Sequence, residues 1–338
     1  MPAATRIGGD RSQPDEPADP PASRSQRWWS AFQRSGLRRT RVGKVAYRAL
    51  HLSSLVVDRR LPGSSRSGVL ARLWLWQVWR RTIRRPVLIR CAEGSLLLSP
   101  HWSRAAGIIA GTGLTERDDA IFVLDLLRAG DLFVDVGANI GFYTVLAARR
   151  GARVEAFEPA AEAFDACTRN VDLNRVAGLA RIHRAACGAT SGVTHLTTGL
   201  DISNHIVGPG EGGVEVPISR LDDCLAGESP LTAMLKIDAE GHDLEVLAGA
   251  LESVERMTPV ILVEIWTGGA GPLRLLERFG YRAYDYDPAP RTLTQIASGH
   301  RQGGNMLLIC DETIEAVRRR VQTAERPVLR SPSLKFLR

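Results

Sequence analysis

Apolar positions recur along this chain in two registers. Runs that are continuously or nearly continuously apolar, at residues 131–136, 153–157, 180–186, 232–238, 259–265 and 304–310, read as strands. Met234-Leu-Lys-Ile237 and Val260-Ile-Leu-Val263 show the pattern of strands covered on both faces. Between these runs, residues 118–129, 141–150, 160–174, 242–256 and 271–279 carry apolar side chains at helical spacing. Strand alternating with helix predicts an α/β fold, a doubly wound open sheet whose ligand lies at the carboxyl ends of its strands. Residues 86–100 read as two short strands turning near Glu93 and Gly94. No internal repeat is visible.

The first part of the chain lacks this regularity. Five prolines fall in the first 21 positions, and residues 1 to 40 have no apolar period with which to offset the entropy of ordering. Residues 1–68 are therefore expected to be a disordered or weakly structured basic arm, 69–85 an amphipathic helix, 86–320 the main domain and 321–338 a tail. The helix carries Trp74, Trp76 and Trp79 beside Arg80, Arg81, Arg84 and Arg85. That composition suits a helix lying in a membrane interface, or equally one docked on the body. Charge sharpens the contrast. Residues 1–90 hold 19 Arg or Lys against 5 Asp or Glu, a balance of +14, whereas the remainder holds 25 against 32. The body is acidic, so a nucleic-acid-gripping surface is disfavoured there, and the basic extension reads either as one that meets an anionic surface such as a membrane or as a solvated arm with no partner. Five scattered cysteines without CxxC spacing exclude a disulfide framework and a zinc ribbon. With no apolar span or signal core in view, a cytoplasmic protein, peripheral to a membrane at most, is expected.

Candidate chemistry concentrates at three predicted strand ends. The first strand runs into Asp135, turns through Gly137, Asn139 and Gly141, and opens a helix. Glycines let a ligand approach the N–H groups of a helix start. A dinucleotide fingerprint needs a glycine where Asn139 stands, so a ligand without pyrophosphate, such as S-adenosylmethionine, fits better. Glu158 closes the second strand 21 positions after Gly137, where a carboxylate can accept ribose hydroxyls. Read more plainly, the loop is a tight turn and Glu158 a helix-start acid. The third cluster, Lys236, Asp238, Glu240, His242 and Asp243, closes the fourth strand, and Glu264 closes the fifth.

These segments, DVGANIGFYT, AFEP, LKIDAEGHDLEVLAGA and ILVEIW, with Gly113-Leu-Thr-Glu116 upstream, resemble the FkbM family of S-adenosylmethionine-dependent methyltransferases over residues 88–310. The resemblance implies a seven-stranded Rossmann-like class I methyltransferase fold with the last strand antiparallel, and O-methylation of a sugar, glycolipid or polyketide-type hydroxyl. It implies that Asp135, Gly137, Asn139, Gly141 and Glu158 form the cofactor site, that Glu116 holds the methionine amine, and that Asp238 and Glu240 face the sulfonium and the acceptor. Asn204 and His205 fall where the family has a loop near the cofactor, though this version is atypical.

Methyl transfer to an alcohol needs alignment and a base. Asp238, Glu240, His242 and Glu264 are the candidates, and Asp238 with Glu240 could instead hold a divalent cation, which leaves metal use open. Boxes for amino-group methylation and a nucleophilic cysteine for cytosine are absent, which favours small hydroxylated molecules and glycans over nucleic acid. The rival class is a non-catalytic protein that keeps the cofactor fold and uses its Arg-rich arm for nucleic acid or complex assembly. A nicotinamide-dependent oxidoreductase is disfavoured by Asn139.

Overall fold

The computed structural model describes residues 65–338 other than 104, 198–203, 208–211, 229, 231, 266–269, 297–303, 330 and 337–338. The described residues belong to one compact unit within Leu61–Arg338. Of the basic arm expected over residues 1–68, residues 1–64 lie outside them, as does Trp266, and residues 66–68 open the first helix.

Ser65 opens α1 (Arg66–Thr82) by accepting a hydrogen bond from the Gly68 N–H. It is followed by β1 (Val87–Arg90) and β2 (Leu96–Ser99), then α2 (Ala105–Thr112) and α3 (Arg117–Leu126). Next come β3 (Leu132–Val136), α4 (Phe142–Arg149), β4 (Arg153–Phe157), α5 (Ala161–Leu173) and β5 (Ala180–His183). A smaller sheet of β6 (Ala186–Cys187), β7 (Gly192–Leu196), β8 (Ile206–Val207) and β9 (Val214–Ser219) interrupts the alternation, which α6 (Leu221–Leu225) then resumes. The second half comprises β10 (Ala233–Ile237), α7 (Asp243–Ala248), α8 (Leu251–Met257), β11 (Val260–Ile265), α9 (Gly271–Leu276), β12 (Tyr281–Asp287), β13 (Thr292–Gln295), β14 (Gly304–Cys310), α10 (Ile314–Thr323) and β15 (Ser333–Phe336).

The principal sheet has the order β13-β12-β14-β11-β10-β3-β4-β5. Its strands from β11 to β5 are parallel, and β14 is antiparallel to both β11 and β12. This is the expected seven-stranded α/β arrangement with its antiparallel last strand, widened by β13 as an eighth strand. Along the parallel strands alternate residues enter two separate cores. Phe133, Val154, Met234 and Leu262 belong to one, while Val134, Leu235, Ile261 and Val263 belong to the other. Burial of both faces explains why those runs lack polar alternation. Strand order reverses between β3 and β10, and such switch points open a crevice at the strand ends.

Several elements depart from the sequence expectation. The run 180–186 splits, with β5 in the principal sheet and β6 paired to β9. The helix expected over 242–256 breaks into α7 and α8 at Gly249, where an added Cβ would lie 2.0 Å from the Gly188 carbonyl oxygen. Residues 321–338 do not stand apart as a tail, because β15 pairs with β1 and Phe336 packs on Trp79 with ring centroids 4.4 Å apart.

The helix expected over 69–85 is α1, and it docks on the body. Val69, Leu73 and Trp76 are buried, and Arg72 donates through Nε and Nη2 to the Gly111 carbonyl. Gly107 and Gly111 make this approach possible, since a Cβ on Gly111 would sit 2.7 Å from Leu73. Of the three tryptophans, Trp76 is core, Trp79 is half-buried and Trp74 points outward. On the far side of β1 and β2, Asn170 and Asn174 cover the free edge of β2, taking the N–H groups of Leu98 and Leu96 at 2.6 and 2.9 Å.

Candidate active site

After β3 the backbone reverses through left-handed residues at alternate positions: Gly137 at φ 76°, Asn139 at φ 50° and Gly141 at φ 82°. A Cβ on Gly137 would lie 1.9 Å from the Asp238 carbonyl oxygen, so the close approach of this loop to the end of β10 excludes any side chain. Asn139 tolerates the same backbone region because its Oδ1 accepts from the Ile140 N–H at 2.8 Å.

Glu158, at the end of β4, is 7% exposed. Its Oε2 accepts from the Asn139 N–H at 2.8 Å and its Oε1 from the Ala160 N–H at 2.9 Å. Burial pushes this carboxyl up to about 7, and the charges of Asp135 and Asp238 add to the effect. Two N–H bonds leave roughly half of a carboxylate's acceptor sites for other donors.

Beneath the loop lies a buried charge network. Asp135 has no exposed surface, and its Oδ2 accepts from the Thr144 hydroxyl at 2.7 Å. Its Oδ1 has no hydrogen-bond partner and stands 3.9 Å from the Lys236 Nζ. Asp135 and Lys236 are side by side in the register of β3 and β10. Lys236 also donates to Asp238 at 3.1 Å, and its Nζ lies 5.2 Å from the centre of the Tyr143 ring. Burial works against the lysine's charge, but Asp238, Asp135 and Glu116 outweigh it and hold the ammonium above its usual range. Burial likewise raises Asp135, with Lys236 opposing. Glu116, at the start of α3, accepts from the Tyr143 hydroxyl at 2.9 Å. A residue from outside the alternating core is thereby joined to the first turn of α4.

Carboxylates gather at the ends of β10 and β11. Oxygens of Asp238, Glu240 and Glu264 lie within 4.8 Å of one another, the one group of three His, Cys, Asp or Glu among the described residues with spacing to hold a metal ion. Glu240 takes φ 51° in the turn after β10. That turn is held by Asp243, which accepts from the Ala239 and Gly241 N–H groups at 2.9 and 3.2 Å. Burial, with Asp238 and Asp243 adding and Lys236 opposing, lifts the Glu240 carboxyl to about 7. A carboxyl poised there is suited to exchange a proton near neutral pH. His242 takes another direction: its Nδ1 is 3.7 Å from Glu245, and its Nε2 faces Gly188.

The fold thus brings Glu116, Asp135, Gly137, Asn139, Gly141, Glu158, Asp238, Glu240 and Glu264 to one edge of the sheet. Asn204 and His205 lie just before β8 of the small sheet, next to segments outside the described residues. Sequence reasoning gave no role to Tyr143 or Thr144 and none to Lys236 individually. A lysine inside an otherwise apolar strand was the available signal, since a charge is buried only with a partner.

Residues 135–283 match the family model of the methyltransferase FkbM domain. Hexuronic acid methyltransferase AglP of Haloferax volcanii is 33% identical over 156 residues, covering 45% of this chain and 63% of that protein. Methyltransferase sdnD of Sordaria araneosa is 30% identical over 178 residues, 41% of this chain and 68% of that one. The 31-O-demethyl-FK506 methyltransferase FkbM of Streptomyces tacrolimicus is 32% identical over 160 residues, 36% and 60% respectively. This chain therefore spans about three fifths to two thirds of the length of these relatives.

Proposed function

Because the chain belongs to the FkbM methyltransferase family, we propose that it is an S-adenosylmethionine-dependent O-methyltransferase acting on a hydroxyl of a sugar, glycolipid or polyketide-type molecule. The observation that carries this reading is the pairing of Glu158 with the Gly137–Gly141 turn, directly beside a carboxylate cluster on β10 and β11. The residues fit such a ligand. Glu158 is buried, raised toward neutrality and holds only two N–H donors, an arrangement that a vicinal diol would complete. The Gly137 backbone is kept bare of a side chain.

S-adenosylmethionine supplies an electrophilic methyl group on a sulfonium. The chain's own contribution is alignment and proton handling. Glu158 orients the ribose, the turn over Gly137 to Gly141 shapes the space beside it, and Glu116, fixed by Tyr143, offers a carboxylate to an amine. Asp238 is held by Lys236 and would border the methyl donor. Glu240 takes the proton of the acceptor hydroxyl, since its carboxyl is poised near 7 and shares the cluster with Glu264. The naming of relatives for a hexuronic acid and for 31-O-demethyl-FK506 supports hydroxylated acceptors.

Incubation with methyl-labelled S-adenosylmethionine and a panel of hexuronic acids, glycolipids and polyketide alcohols tests the assignment. Label appearing as an alkali-stable ether is the expected result. Binding of NAD in preference to S-adenosylmethionine would overturn it.

A further inference from the structure

The outward face of α1 has a composition that the site does not explain. Five of the eleven large apolar side chains exposed among the described residues fall on this helix and its C-terminal cap: Leu70, Trp74, Leu75, Val78 and Ile83. At 100° per residue, Leu70, Trp74, Leu75 and Val78 share one arc of about 140°, opposite the buried Val69, Leu73 and Trp76. Trp74, within that arc, is 66% exposed. Arg81, Arg84, Arg85 and Arg90 are exposed alongside or just beyond its end. From residue 59 to residue 92 the sequence has nine arginines and no Asp or Glu.

We infer that this face is a docking surface for an anionic lipid bilayer, with α1 lying in the plane of the interface. The helix, about 25 Å long for 17 residues, would lay its apolar arc into the headgroup boundary with its indole at the level where tryptophan partitions best. The arginines would meet lipid phosphates. Charge complementarity selects lipid over a protein partner. A stretch carrying one sign of charge throughout, joined to an exposed apolar arc with a tryptophan, suits the interface of an anionic bilayer. Docking of α1 is rigid on its inner side, through Trp76, Leu73 and the Arg72 bonds to Gly111, so the outer face is presented rather than folded away. The inference is independent of the methyl-transfer reading.

The test is sedimentation of the full chain with vesicles of phosphatidylcholine alone or with added phosphatidylglycerol, at low and high salt. Binding to the anionic vesicles that weakens with salt is expected. Arg81→Ala with Arg85→Ala should weaken it about 25-fold, at roughly fivefold per arginine. Trp74→Ser with Val78→Ser should reduce it at least tenfold, with an unchanged thermal transition because both side chains are exposed. Absence of anionic-vesicle binding at low salt overturns the inference. So does binding that the Trp74→Ser/Val78→Ser variant retains in full, which would assign it to residues 1–64. A dimer by light scattering that this variant dissociates would overturn it as well, in favour of an interface between two copies.

Discussion

At the scale of single residues, the two glutamates raised to about 7 have different surroundings. Glu158 is buried and faces the loop, whereas Glu240 is half-buried and faces the other acids. Glu158→Ala should weaken S-adenosylmethionine binding by about 3–6 kcal/mol, because two hydrogen bonds to a charged acceptor disappear, each contributing about 1.5–3 kcal/mol. Calorimetry giving unchanged affinity would remove Glu158 from the site. Glu240→Gln should leave cofactor affinity within a factor of a few and lower methyl transfer by roughly 10²- to 10⁴-fold, the usual contribution of a general base. Asp238→Asn is a less clean test, since it also strips the buried Lys236 of its nearest carboxylate. If Glu240→Gln keeps full turnover, Glu264 is the next carboxylate to examine.

Among the elements, α1 shows how neighbouring residues of one type take opposite roles. Trp74 and Trp76 are two positions apart and therefore about 200° apart around the helix. Trp76→Ala should cost about 3–5 kcal/mol of stability by emptying a fully buried site between α1 and α2. Trp74→Ala should change stability by about 0.5 kcal/mol or less. Urea titration of both variants checks the contrast, and equal losses would mean that the helix is seated differently. Composition could announce an unusual Trp- and Arg-bearing helix here, but the face that docks depends on Gly107 and Gly111 of α2. Those glycines are 31 and 38 residues from Trp76 and Leu73 and leave no periodic trace near them.

Over the whole molecule, the raised carboxyls set a pH dependence. Between the ordinary glutamate value of 4.5 and about 7 the folded chain binds more protons at Glu158 and Glu240 than the unfolded chain does. Stability contributed by these groups is therefore greatest at the acid end of that window and falls as pH rises through it. For Glu158 the change is on the order of 3 kcal/mol. Denaturation of the wild type and of Glu158→Gln at pH 5 and pH 7.5 should show a smaller drop in the variant. An identical drop would mean that Glu158 titrates normally.

The alternating α/β plan, the parallel core strands and the acids at their carboxyl ends were all legible in the chain. Each is a local consequence of period, burial on both faces and a strand-to-helix turn. What the tertiary structure alone decided is which local features meet. The hairpin of β12 and β13 hides in a segment where Asp285 and Asp287 break the apolar run. The return of β15 to β1 and the use of Asn170 and Asn174 to cover β2 depend on partners more than 70 residues away. The network from Glu116 through Tyr143, Lys236 and Asp135 joins residues that are up to 120 positions apart. Sequence order carries no distance across a sheet, and only register and switch point bring these charges close enough, with Asp135 and Lys236 buried, for their mutual fields to matter.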